Sequence, residues 1–90
     1  MSSQHSFSTD LPVLAALAMS AGGRMYPPEP DPSSGRLVFT FDPSTISPSF
    51  ETKVLSGEIT LNAREVLASH NAVMSLVQRH QRARRQGSAR

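Results

Sequence analysis

Between Leu11 and Gly23 the chain reads LPVLAALAMSAGG, an apolar stretch opened by one proline and closed by two glycines. Pro12 suits a first helical turn, where its missing N–H costs nothing, and Gly22-Gly23 supplies a left-handed stop. Thr9 or Asp10 is placed to cap this helix. At about 100° per residue, Leu11, Leu14, Leu17, Ala18 and Ala21 share a broad face, and Ala15 and Ala18 let a neighbour approach closely. Ninety residues make one domain. A helix this apolar must lie in that domain's core, and the other elements must cover it.

Two competing readings of the same stretch are not expected to hold. The preceding MSSQHSFSTD has no Lys or Arg and contains Asp10, which is wrong for the positive region of a signal peptide. About a dozen apolar residues are also too few for a bilayer span, which needs about 20. The chain has no cysteine, so it has no disulfide, thiolate metal site or cysteine nucleophile. The expectation is a cytoplasmic protein without membrane contact.

Residues 1–5 are polar and expected to be loosely held, and Ser6-Phe7-Ser8 suggests a short strand leading into the first helix. Next come RMY, the proline-rich segment 27–36, and RLVFTFD, a hairpin-like pair joined by a long loop. In RLVFTFD, Leu37, Phe39 and Phe41 alternate with Arg36, Val38 and Thr40, the period of a strand with one face buried. SPSFETKVLSG predicts a short helix with Ser47 as cap, Pro48 first and Gly57 past its end. EITL, residues 58–61, predicts a brief strand.

Asn62 then caps a third helix, with Glu65 three positions on. Val66, Leu67, Val73, Met74 and Val77 share its apolar side, and Arg64, Ala68, Ala72, Ser75 and Arg79 lie opposite. The order is β-α-β-β-α-β-α, an α+β domain with a small sheet covered by about three helices. The compact domain is expected over residues 1–78, with residues 79–90 as a basic tail. Both that tail and segment 27–36 are expected outside the core.

No phosphate loop, dinucleotide fingerprint, zinc-protease motif or serine-nucleophile elbow is present. His5, His70 and His80 have no ligand-like spacing, so neither a metal nor a cofactor is expected. Asp10 and Glu65 sit where carboxylates complement helix N-termini. Nothing points to catalysis. His70 falls within the apolar stripe, either as a titrating group or as a hydrogen-bonded residue at the core edge, and the second is favoured. Tyr26, Phe39 and Phe41 could stack bases, but with five aromatics in the chain the core claims Phe39 and Phe41.

Charge is divided unevenly. Residues 1–78 carry four basic side chains against seven acidic ones, whereas residues 79–90 carry five arginines and no acidic residue. If the last helix continues, Arg79, Arg82, Arg84 and Arg85 lie at about 0°, 300°, 140° and 240°, surrounding the axis. That suits diffuse contact with phosphates better than base reading from one face. It also suits a cationic helix end that complements the macrodipole.

Taken in order, FSTDLPVLAALAMSAGG, RLVFTFD and FETKVLSGEITLNAREV resemble a family of small uncharacterised domains from bacteria and their phages or mobile elements. The resemblance covers about residues 6–78 and lies in apolar and turn positions. It implies a short strand, an alanine-rich helix ending at Gly, and a strand ending in Phe-x-Phe, then a helix, a Gly turn, a short strand and a last helix. It carries over no activity and no functional residue.

The expectation is a non-enzymatic accessory protein whose Arg79, Arg82, Arg84, Arg85 and Arg90 contact nucleic acid, or an acidic protein surface, without sequence readout. The alternative is a protein–protein interaction or assembly module of a phage or mobile element, docking on a larger protein, which an exposed apolar strip on Val73, Met74 or Val77 with stable self-association would favour.

Overall fold

A computed structural model describes residues 6–88. The chain forms β1 (Ser8–Thr9), α1 (Pro12–Ser20), β2 (Glu29–Pro30), β3 (Leu37–Thr40), α2 (Phe50–Leu55) and α3 (Ala63–Ser88). It is a small α+β fold, with three antiparallel strands in the order β1-β3-β2 and three helices. The expectation for residues 1–5 lies outside the described residues.

β3 is the central strand because both of its edges find partners. Ser8 pairs with Thr40 and Thr9 with Phe39 on one side, and Glu29 pairs with Val38 and Pro30 with Leu37 on the other. Met25 bridges Phe41 further along. From Met25 to Glu29 the chain takes four steps while the facing strand takes three, so Pro27-Pro28 carries a one-residue bulge. Proline has no N–H for a ladder, and an edge position tolerates that loss. The predicted strand at 58–61 does not form. β3 has no free edge left, and only Ile59 and Leu61 of that stretch are half-buried.

The alternation in β3 holds: Leu37, Phe39 and Phe41 are buried, while Val38 and Thr40 are half-exposed. Phe7 packs on Phe41 and Phe50 with ring centroids 6.0 and 5.4 Å apart. Burying side chains of this size contributes about 1.5–3 kcal/mol each.

α1 starts at Pro12 as predicted, but Leu11 takes the N-cap position without a side-chain cap. Thr9 Oγ1 instead accepts from the Leu11 amide at 3.0 Å, and Asp10 pairs with Arg36. Pro12 removes one of the donors that a cap would have served. Leu14, Ala15, Ala16 and Ala18 are buried and sweep about 200° of the helix, so α1 is covered on more than one side. Leu11 and Ala21, assigned to the buried face by spacing, are exposed. α2 begins later than predicted, at Phe50, because Ser47–Ser49 forms a turn in which Ser47 Oγ accepts from the Ser49 amide.

α3 packs on α1, and Ser69 accepts a 3.2 Å bond from Ser20 between them. Asn62 caps α3 as expected, its Oδ1 accepting from the amides of Arg64 and Glu65 at 2.9 and 3.2 Å. The buried arc runs from Leu76 through Val73 to Met74, turned by about 40° from the stripe read in sequence. Leu67 is therefore 65% exposed, and Leu76 packs against the core. Among the described residues no helix is long and apolar enough to cross a membrane.

Candidate functional site

α3 does not stop at the edge of the core. Gln, Arg and Ala are good helix formers, and the helix runs through the basic segment to Ser88. The hairpin between β2 and β3 turns toward it. Asp31 organises that turn: its Oδ1 accepts from the amide and hydroxyl of Ser33, both at 2.9 Å, and its carbonyl accepts from the Gly35 amide at 2.7 Å. Gly35 follows with φ +75°, a left-handed conformation that glycine adopts without strain.

This turn presents the Gly35 carbonyl oxygen to α3. His80 Nε2 lies 3.0 Å from it, and Arg84 donates to it at 3.1 Å. A carbonyl oxygen has two lone pairs, so it accepts both bonds, with the His80 proton on Nε2. The two segments expected to stay clear of the core, 27–36 and 79–90, thus dock on each other. His80 and Arg84 are four residues apart and share one side of α3.

The five arginines are consequently unequal. Arg79 and Arg82 are exposed and lie within about 60° of each other on the helix. Arg84 turns instead to the hairpin. The Arg85 side chain and Arg90 lie outside the described residues. Arg36, which sequence reading left aside, joins the group: it follows Gly35 and meets Asp10 at 3.5 Å. Only tertiary structure places Arg36 near Arg84, since 48 positions separate them.

Two carboxyls outside the helix ends are held below the ordinary value of 3.8. For Asp31 the main cause is the bond from the Ser33 amide, then that from its hydroxyl. For Asp42 the Ser44 amide and hydroxyl act in the same way, at 2.9 and 2.8 Å. Hydrogen bonds to the ionised form explain both shifts.

His70 is half-buried at the margin of the packed face. Phe39 and Phe41 are fully buried, so neither offers a face to a base, and Tyr26 is 41% exposed. Val73, Met74 and Val77 form no exposed apolar strip: Val73 is fully buried, and the other two are half-covered. Among the described residues no cluster of three His, Cys, Asp or Glu side chains could hold a metal ion.

No protein-family model matches the chain, and neither a curated protein nor a solved structure matches it.

Proposed function

We propose that this protein is a non-catalytic, cytoplasmic accessory module of a bacterium or phage that holds nucleic acid by its phosphates, without reading bases. The observation that carries this reading is the continuation of α3 as one helix past the core, with Arg79 and Arg82 exposed together. A helical backbone anchored by His80 and Arg84 on Gly35 presents those cations at lower entropic cost than a frayed tail. Contact through phosphates alone supplies non-specific affinity and a strong salt dependence.

Fluorescence anisotropy with labelled oligonucleotides of unrelated sequence tests it. Affinities should agree between sequences, and log K should fall with log salt at a slope of about −2 to −4. A flat salt response, or unchanged affinity after deletion of residues 79–90, removes the reading. In the second reading, a module docking on a larger protein, Leu55 and Leu67 are apolar side chains open to a partner, at 79% and 65% exposed. Stable self-association or complex formation lost on Leu67→Ser would support that reading.

A further inference from the structure

The docked hairpin and the C-terminal half of α3 enclose a half-open cavity of about 290 Å³. Half-buried Met74 and Val77, with the edge of Leu37, make its apolar floor, and Phe39 lies fully buried behind them. Arg36, Asp10, His80 and Arg84 also line it, so ionisable groups border an apolar base. We propose that this cavity binds a small amphiphilic carboxylate, with its hydrocarbon on the floor and its carboxylate on the Arg36 guanidinium.

Each half of the site excludes a simpler ligand. A bare inorganic anion would leave the apolar floor unused, and a neutral hydrocarbon would leave the cationic rim unused. The volume is near the low end for small-molecule sites, about 300 Å³, and so limits the ligand to a short chain or a single ring. Arg36 meets Asp10 at 3.5 Å with both side chains substantially exposed, a loose and screened pair. An incoming carboxylate takes the place of Asp10 on a fork suited to two parallel hydrogen bonds. Asp10 is then a competitor for the site, which gives its removal a definite sign. This site uses Arg36, whereas the nucleic-acid reading rests on Arg79 and Arg82, so either stands without the other.

The experiment is an NMR titration of the full chain with octanoate, with octan-1-ol and inorganic phosphate as separate arms. Octanoate should shift the amides of Gly35, Arg36, Val77 and Gln81 saturably, and the other two probes should not. Arg36→Gln should weaken octanoate about three- to tenfold, and Asp10→Asn should tighten it. Equal affinity for octan-1-ol, the same shifts with phosphate, or no saturable shift with octanoate would overturn the proposal. Weaker binding by Asp10→Asn would do the same. If either variant unfolds, the comparison of the three probes on the unaltered chain decides.

Discussion

The Arg84 guanidinium donates a 3.1 Å hydrogen bond to the carbonyl oxygen of Gly35, across 49 residues of chain. A Cβ placed on Gly35 would come within 2.8 Å of that guanidinium, and φ at Gly35 is +75°. Gly35→Ala therefore meets two obstacles of different kinds. The left-handed backbone costs about 1–2 kcal/mol and remains in any background. The clash falls on the far end of a flexible side chain and disappears with it. In urea unfolding, Gly35→Ala should destabilise by more than about 1–2 kcal/mol, and by only about that amount when introduced into Arg84→Ala. Purely additive losses would show that the two residues do not communicate.

Truncation after Gln78 removes both donors to the Gly35 oxygen. Composition alone predicts a nearly neutral truncation, because residues 79–90 offer only two alanines to a core. The docked hairpin changes that expectation. Two lost bonds, at about 0.5–1.5 kcal/mol each, should lower stability by about 1–3 kcal/mol. The melting temperature should fall by about 4–8 °C for each kcal/mol. A truncated chain that melts with the full-length protein would mean that the hairpin gains nothing from α3.

Two positions on one predicted stripe should now behave differently. Val73 is fully buried and Leu67 is 65% exposed, although spacing puts both on the apolar side of α3. Val73→Ala should cost about 2 kcal/mol, and Leu67→Ala about 0.5 kcal/mol or less. Denaturation of the two variants side by side checks the rotation of the helix, and equal losses would contradict it.

That rotation marks where sequence stops being informative. Alternation at Leu37, Phe39 and Phe41 is local, as are the Asn62 cap and the glycine past α2, and each appears where its pattern places it. Which arc of α3 is buried depends on the alanine surface of α1, a property of the pair. EITL has strand composition, but the central strand is already paired on both sides and the outer strands are two residues long, so EITL joins no ladder. The contact of Gly35 with His80 and Arg84 leaves no local trace at all. Its parts lie in two polar segments that look, separately, like solvent-facing loop and tail.

Acid should weaken the fold through Asp31 and Asp42. Both carboxyls are held below the ordinary 3.8, so each binds a proton less readily folded than unfolded. Their contribution is therefore fully present above that value and is lost as pH falls through the lower folded values. Urea midpoints between about pH 5 and pH 2 should fall less steeply for Asp31→Asn/Asp42→Asn than for the unaltered chain. Asn keeps an acceptor oxygen for the turn amides but does not titrate there. An unchanged acid response would show that other groups set it.

Arg79 and Arg82, proposed to contact phosphates, should separate from Arg84, which joins α3 to the hairpin. Arg79 and Arg82 are exposed on α3, so replacing both with Gln should leave the melting temperature nearly unchanged. If each neutralises a phosphate, the same double change should reduce the salt slope for oligonucleotide binding by about 1.8. Arg84→Gln should show the reverse weighting. It removes a bond to Gly35 and should cost about 1 kcal/mol, while altering the slope by less than about 0.9. Anisotropy at several salt concentrations, paired with thermal melts, measures both quantities on the same proteins. Equal slopes and equal stabilities for Arg79→Gln and Arg84→Gln would show that the two side chains are interchangeable, and the docked hairpin would then have no part in presenting the basic helix.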